Sequence, residues 1–172
     1  MMTETVVNVQ EAPNNNAANK PQTSEQPLSW IKINLDYFKT TPGIIKLVEL
    51  ILGILCMALA SPALLSGTHF FLFVATTTFI GTLIWVIVYL LGIREALTLP
   101  IHWILTELLN TGICTVAYVI AFIVQLAIWP GGPNYHKGAN IAAGVFGIFN
   151  AIAYGFGSYL LYIEYKGGNR PN

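Results

Sequence analysis

Charged residues are scarce in this chain: Asp, Glu, Lys and Arg make up 9% of the sequence, whereas hydrophobic residues make up 55%. Ordinary soluble domains carry about 25% charged residues, so the composition excludes that class and indicates a membrane protein. The eight basic residues are balanced by eight acidic ones. Because the chain has no net charge, its overall electrostatics predict no nucleic-acid partner.

Cysteine is scarce too, and both cysteines, Cys56 and Cys114, lie within strongly apolar stretches. These positions disfavour a structural disulfide, because such bonds form where thiols are exposed to an oxidising compartment.

The sequence also lacks an Asn-x-Ser/Thr glycosylation site and an amino-terminal signal peptide with a basic end and an apolar run. We therefore expect membrane insertion to depend on the apolar stretches themselves.

Motifs for catalysis and metal binding are missing as well. His69, His102 and His136 have no neighbouring Cys or second His, whereas a metal site requires three or four convergent ligands. No phosphate loop, nucleophile elbow or paired-carboxylate motif occurs. The sequence therefore predicts a protein that is not an enzyme and that uses no cofactor or metal.

Four apolar stretches are long enough to cross a membrane, whose hydrocarbon core of about 30 Å requires roughly 20 apolar residues in a helix. Pro42 suits the first turn of the first span, where its missing N–H has no helical partner in any case. The segment Trp129-Pro-Gly-Gly-Pro133 ends the third span. The predicted spans are residues 42–60, 70–91, 101–128 and 139–162. The predicted fold class is an all-α membrane protein, a four-transmembrane-helix bundle with up-down-up-down topology.

The segments outside the spans differ in composition from the spans. Residues 1–29 are rich in Asn, Gln, Thr, Ala and Pro, and they hold too few large apolar residues to form a core, which predicts a disordered tail. Residues 30–41 contain Trp30 and other aromatic residues suited to headgroup depth, which predicts an interfacial segment. Residues 42–166 then form the four-helix domain, and residues 167–172 form a short second tail.

Basic residues are distributed unevenly along the chain. All of them except Lys137 lie before or at the start of the first span, in the second loop, or after the fourth span. Basic residues are enriched on the cytoplasmic side of membrane proteins. We therefore expect both the amino and the carboxyl terminus to be cytoplasmic.

Polar residues in the first and third spans fall on one face of each helix. In the first span, Lys46 and Glu49 share a face with small residues. Such faces are costly toward lipid, so we expect them to point into the bundle. Lys46 is expected to pair with Glu107, and Glu49 with Arg94 or a backbone donor. The predicted polar contacts of the bundle are Lys46, Glu49, Arg94, Glu107, Asn110, Tyr118 and Gln125.

The polar stripe of the third span is also compatible with a path for protons or ions. Tyr118 and Gln125 carry polar groups toward the far side of the membrane, as such a path requires. No other span has a charge near its middle, however, and Lys46 and Glu49 lie close to one end of theirs. Fixing the register of the bundle is therefore favoured over transport.

Small residues form a ridge along the fourth span, and Gly53 adds a small residue to the first. A small residue at every fourth position allows another helix to approach closely. The partner is either a helix of the same bundle or a second copy of the protein, and the same bundle is favoured because it needs a tight seam. The predicted packing residues are Gly53, Ala139, Ala143, Gly147, Ala151 and Gly155.

Two segments match a pattern proposed for cholesterol contact, one in residues 35–39 and one in residues 160–166. The candidate contact residues are Tyr37, Lys39, Tyr162 and Lys166. The pattern is degenerate, and aromatic residues and lysines are common at any membrane interface. A plain interfacial role for these residues is therefore favoured.

The exterior loops separate this chain from several four-span families. Claudins, tetraspanins and connexins have long or Cys-containing exterior loops, whereas residues 61–69 are short and lack cysteine. The chain instead resembles the MARVEL family, especially its chemokine-like-factor-like and plasmolipin-like branch, over residues 34–166. The motifs are Asp36-Tyr-Phe-Lys-Thr-Thr-Pro-Gly43 before the first span, Glu49 and Gly53 within it, and Ala142-Ala-Gly-Val-Phe146-Gly-Ile-Phe-Asn-Ala-Ile-Ala-Tyr154 in the fourth.

The resemblance implies a protein that organises membranes. Proteins of this kind are associated with cholesterol-rich membrane apposition, vesicle trafficking, cell junctions and membrane fusion. The implied partners are membrane lipids, including cholesterol, and other membrane proteins or a second copy of the chain, at the plasma membrane or on vesicles. The leading hypothesis is therefore a non-enzymatic organiser of lipids and proteins. The alternative, from the polar stripe, is a small transporter or channel component.

Overall fold

The computed structural model describes residues 33–96 and 102–168, and all regular structure in these ranges is helical. In chain order the elements are the 3₁₀-helix η1 (Leu35–Lys39) and the α-helices α1 (Thr41–Ala60), α2 (Ser66–Leu90), α3 (Ile93–Ala96), α4 (Trp103–Ile128) and α5 (Lys137–Gly168). All the α-helices except the short α3 are long and apolar enough to cross a membrane. This confirms the predicted class, an all-helical membrane protein with four long apolar helices.

Some predicted features lie outside the described residues. These are the tail of residues 1–29, Trp30 at the start of the interfacial segment, the third-span start at residue 101, and residues 169–172 of the second tail. The described part of the interfacial segment, residues 33–41, contains η1 and the first residue of α1.

The start of α1 is fixed by its local sequence. Thr40 is the N-cap, and its hydroxyl accepts a hydrogen bond from the backbone N–H of Gly43 at 3.3 Å. A side chain at position 43 is excluded, because a Cβ there would overlap the carbonyl oxygen of Tyr37. The chain therefore turns tightly from η1 into α1. The backbone N–H of Asn34 also donates to the last carbonyl of α2 at 2.8 Å, which holds η1 against the end of that helix.

The long helices close a ring in which each packs mainly against two others. The packed pairs are α1 with α2, α2 with α4, α4 with α5, and α5 with α1. Large apolar side chains such as Ile51, Ile113 and Ile152 remain exposed on the outside, where lipid tails would solvate them. The buried residues of α1 are Gly43, Lys46, Glu49, Gly53, Cys56 and Ala60, so the face that the sequence places inward is the one that packs.

The start of α2 differs from the sequence prediction, because the helix begins at Ser66 and not near residue 70. The small polar residues there resemble a loop. Thr68, however, is fully buried and accepts a hydrogen bond from the indole N–H of Trp129 at 2.8 Å. Gly67 lies against Ile128 and Val124 of α4, so closely that a Cβ would clash with both side chains. These contacts stabilise a first helical turn that hydropathy alone does not indicate.

Candidate functional site

A buried ion pair joins the second turns of α1 and α4. The ammonium nitrogen of Lys46 lies 2.8 Å from Oε1 of Glu107, and the two side chains are 6% and 1% exposed. A charge this deeply buried is tolerated only when it is paired and hydrogen-bonded. The pair therefore fixes the position of α1 relative to α4, two helices that do not pack extensively against each other.

Two tyrosines complete the cluster around the ion pair. The Tyr89 hydroxyl, near the end of α2, donates a short hydrogen bond to Oε2 of Glu107. The Tyr37 ring of η1 stacks on the Tyr89 ring, with 4.5 Å between centroids and 5° between planes. Burial and the nearby Glu107 raise the pKa of the Tyr37 phenol above its ordinary value, so this hydroxyl keeps its proton. The Glu107 carboxylate is thus held by Lys46 of α1 and Tyr89 of α2, and η1 is stacked on the ring of that tyrosine.

Glu49 lies one turn deeper in α1. The sequence predicted that its partner would be Arg94 or a backbone donor, but among the described residues its partner is a side-chain hydroxyl. Its Oε2 accepts a hydrogen bond from the Thr82 hydroxyl at 3.3 Å. Arg94 lies at the rim of the bundle, where its guanidinium is 3.5 Å from the Glu164 carboxylate. Oε1 of Glu49 has no hydrogen-bond partner among the described residues, although the residue is 1% exposed.

A cavity of about 510 Å³ opens beside this cluster, between η1, α1 and α5. Lys46, Glu49 and Glu107 contribute to its wall, and apolar side chains such as Ile45 and Leu160 line much of the rest. The volume is within the range of pockets that hold small molecules, about 300–1,000 Å³. The site can therefore hold an amphiphilic molecule, with polar groups at one side and apolar side chains at the other.

Polar contacts continue from Glu49 toward the middle of the bundle. The hydroxyls of Thr82 and Tyr154 are 2.8 Å apart; because the Thr82 proton is donated to Glu49, the one Tyr154 proton is shared between the Thr82 hydroxyl and the Thr78 carbonyl, which is 3.2 Å away. The Tyr118 ring stacks on the Tyr154 ring with centroids 5.5 Å apart. The Tyr118 hydroxyl is buried and has no hydrogen-bond partner among the described residues. The hydrogen-bonded series that begins at Glu49 therefore ends at Tyr154.

The remaining polar residues of the predicted stripe are separated from the cluster. Gln125 is at the other end of α4, where its amide donates to Oδ1 of Asn140 at 3.0 Å and to the Asn140 carbonyl at 3.3 Å. Asn110 is half-buried beside Gly81 of α2. The hydrogen bonds of Glu107 and of Gln125 therefore lie at opposite ends of the predicted stripe of α4.

The small residues of α5 mostly lie inside the bundle. Ala143, Gly147 and Ala151 are buried. A Cβ at Gly147 would stand 3.0 Å from the Phe71 ring and 3.1 Å from Cβ of Phe122, so the seam is tight on two sides. Ala139 and Gly155 are only partly buried, and Gly53 of α1 packs beside Phe79 of α2.

The candidate cholesterol contacts do not form one site. Tyr37 belongs to the stacked cluster and lines the cavity. Lys39 is exposed and pairs with Asp36 at 2.7 Å, while Tyr162 and Lys166 are exposed on α5. Of these four candidates, only Tyr37 belongs to the cavity wall.

The structure also brings into the polar interior several residues that were not among the predicted polar contacts: Thr82, Tyr89, Tyr154, Asn140 and Asn150. The polar face of α2 contains Thr82 and Tyr89, and that periodicity was a usable signal. Asn150 gives no comparable signal, because it is an isolated amide in an apolar helix. Within the described ranges, no group of three His, Cys, Asp or Glu side chains converges to hold a metal ion.

Comparisons with known proteins give a consistent result. The family model MARVEL, described as a membrane-associating domain, matches residues 37–160. Plasmolipin from Danio rerio is 27% identical over 138 residues, which cover 78% of this chain and 78% of that protein. Plasmolipin from Bos taurus is 28% identical over 148 residues, which cover 81% of this chain and 80% of that protein. No solved structure matches the chain.

Proposed function

The chain belongs to the MARVEL family, and on that basis we propose that it is a non-enzymatic multi-pass membrane protein that organises lipids and partner proteins. The processes that such a protein serves are membrane apposition, vesicle trafficking, cell junctions and fusion. The family match extends from η1 to residue 160 and so covers α1, α2 and α4 in full and most of α5. Similarity to plasmolipins over most of both chains supports the same role.

The observation that carries this proposal is the distribution of side chains on the four-helix ring. Its polar groups are turned inward, and its outer face is formed by large apolar residues. The connection between α1 and α2 is only residues 61–65, so little of the chain projects from the bundle there. A protein built in this way has most of its surface available to lipids and to other membrane helices.

We place the ends of α2 and α5 and the starts of α1 and α4 on the cytoplasmic side, in an up-down-up-down bundle at the plasma membrane or on vesicles. Lys39, Arg94 and Lys166 support this orientation, because they are the described basic residues at that end outside the buried pair. Single cysteines placed at residues 166 and 134 in a Cys-free variant test it. Labelling of intact cells by a membrane-impermeant reagent should modify position 134 and leave position 166 unmodified.

Vesicle reconstitution tests the proposed function directly. The full chain is placed in phosphatidylcholine vesicles with and without cholesterol, and clustering and lipid mixing are followed by light scattering and fluorescence. We expect clustering or mixing that increases with protein density, with protein-free vesicles as the baseline. Equal behaviour with and without protein, in both lipid mixtures, would rule out a direct role in membrane apposition or fusion.

A transporter or channel component remains the second candidate, and one observation favours it. The Tyr118 hydroxyl and both polar atoms of the Asn150 amide are buried without partners among the described residues, and such groups commonly hold internal water. A path through them would continue from Glu49. Glu107→Gln and Gln125→Leu should then reduce a measurable proton or ion flux in vesicles. Absence of flux in the parent protein removes this candidate.

A further inference from the structure

We propose that the cavity between η1, α1 and α5 binds one uncharged membrane lipid whose polar head is a hydroxyl group, with that hydroxyl at Glu49. Sterols, diacylglycerols and ceramides share this chemistry. The inference deepens the proposed function and rests on it, because it supplies a specific lipid ligand to a protein that organises lipids.

The first support is an unsatisfied carboxyl oxygen at the cavity wall. Glu49 lines the cavity, and its Oε1 lacks a hydrogen-bond partner among the described residues. Gly157 lines the same cavity, and a Cβ there would stand 3.1 Å from that oxygen. The missing side chain at position 157 thus leaves space beside the unpartnered oxygen. A buried polar atom without a partner is costly, and a bound hydroxyl removes that cost.

A second unsatisfied group lies on the same cavity. The Tyr37 hydroxyl is buried, lines the cavity and has no partner in the described part of the chain. The phenol of Tyr37 can donate a hydrogen bond, whereas an ionised carboxyl group can only accept one. A lipid hydroxyl can both donate and accept hydrogen bonds, so it can pair with either group.

The charges around the cavity exclude a phosphate-bearing head. Among the described residues, the cations that line the cavity are Lys46 and Arg94, and each already has a carboxylate partner, at 2.8 Å and 3.5 Å respectively. Glu49 adds a further acidic group to the wall. A phosphate would therefore meet more carboxylates than cations, and its desolvation would not be compensated.

The rest of the wall suits the apolar body of a lipid. Ile45, Leu160 and Ile163 line the cavity, and Ile163 is also exposed on the outer surface of α5. An apolar chain or ring system can therefore extend from the cavity into the surrounding lipid. A water-soluble ligand would gain nothing from this arrangement, because burial of apolar area is what drives binding at such a wall.

Photolabelling of the full-length protein in phosphatidylcholine vesicles tests the proposal. The probes are photoactivatable analogues of a sterol, a diacylglycerol, a ceramide, phosphatidylcholine and sphingosine, and crosslinked residues are mapped by mass spectrometry. We expect one or more of the three hydroxyl lipids to label residues 42–49 and 157–163, and unlabelled lipid of the same kind to compete. Stronger labelling there by phosphatidylcholine or by the amine of sphingosine would overturn the proposal.

Matched glycine variants provide the control. Gly157→Ala places a methyl group beside Glu49 and should reduce specific labelling about tenfold, the effect of losing one hydrogen bond to a charged group. Gly155→Ala lies on the same helix outside the cavity wall, where its Cβ would meet only Thr115 at 3.6 Å, and should label normally. Equal labelling of both variants would contradict the assignment to this cavity.

Tyr37→Phe separates an effect on lipid binding from an effect on folding. It retains the stacked ring but removes the unpartnered hydroxyl, so the free energy of unfolding in lipid-free detergent should be unchanged or slightly higher. Labelling should nevertheless fall if the hydroxyl contacts the ligand; unchanged labelling leaves Glu49 as the anchor, which Gly157→Ala tests.

Selective labelling without vesicle clustering contradicts the proposed function alone, whereas clustering with unselective labelling contradicts this inference alone.

Discussion

Replacing Glu107 by Gln removes the only carboxylate within ion-pair distance of Lys46 among the described residues. The amide retains an oxygen for the Tyr89 hydroxyl, so the substitution acts mainly on the ion pair. Because Lys46 is 5% exposed, its ammonium group would be left buried and without a counter-charge. Breaking a buried pair from one side costs about 3–5 kcal/mol, and we expect a loss of that size in the free energy of unfolding.

The comparison variant is Glu164→Gln, which breaks the pair between Arg94 and Glu164 at the rim. Those side chains are 32% and 48% exposed and their charged atoms are 3.5 Å apart. A solvent-exposed pair contributes about 0–1 kcal/mol. Glu164→Gln should therefore be nearly neutral, although it removes the same kind of charge from the same end of the bundle.

Equilibrium unfolding in mixed micelles of a mild detergent and dodecyl sulfate, followed by tryptophan fluorescence, measures both variants. The double variant Lys46→Met with Glu107→Gln removes both charges and should be less destabilised than Glu107→Gln alone. Equal, mild losses of stability in Glu107→Gln and Glu164→Gln would show that the buried ion pair does not hold α1 to α4. The same would follow if the loss in the double variant equalled the sum of the losses in Lys46→Met alone and Glu107→Gln alone.

Three further predictions follow from contacts elsewhere in the bundle. Gly147→Leu should unfold the monomer and not merely prevent its association, because the side chain would overlap Phe71 and Phe122; a folded monomer with lost crosslinked dimers would place this seam between copies instead. Trp129→Phe leaves the buried Thr68 hydroxyl without its indole donor and should reduce the free energy of unfolding by about 1–3 kcal/mol; a neutral result in the same unfolding assay contradicts this contact. Thr82→Val removes the donor to Glu49 and should destabilise the bundle by a similar amount, with exposed Thr76→Val as the control; equal effects would show that the hydroxyl of Thr82 has no special role.

The sequence was informative where a residue is unusual for a membrane span. Lys46 and Glu107 are charged residues in apolar helices, and because such groups avoid lipid and seek each other, their proximity could be inferred. The inward face of α1 could be inferred for the same reason, since its small and polar residues recur at helical spacing. The family motifs predicted membership that the match to residues 37–160 confirms.

The remaining parts of the site depend on distances that no sequence pattern contains. Arg94 and Thr82 are both plausible partners of Glu49, and only the packing of α2 against α1 decides that Thr82 lies close enough. The cavity depends on how far α5 stands from α1 near Gly157. Likewise, the first turn of α2 forms because Thr68 meets Trp129, which is far away in sequence.

The central claim is that this protein organises the lipids around it, and the lipid composition of its immediate surroundings tests that most directly. The protein is extracted from its native membrane in polymer-bounded discs, and the lipids in the purified discs are compared by mass spectrometry with those of the bulk membrane. We predict that the discs are enriched in one class of uncharged hydroxyl lipid and that Gly157→Ala reduces the enrichment while Gly155→Ala does not. Discs with the same lipid composition as the bulk membrane would contradict the claim.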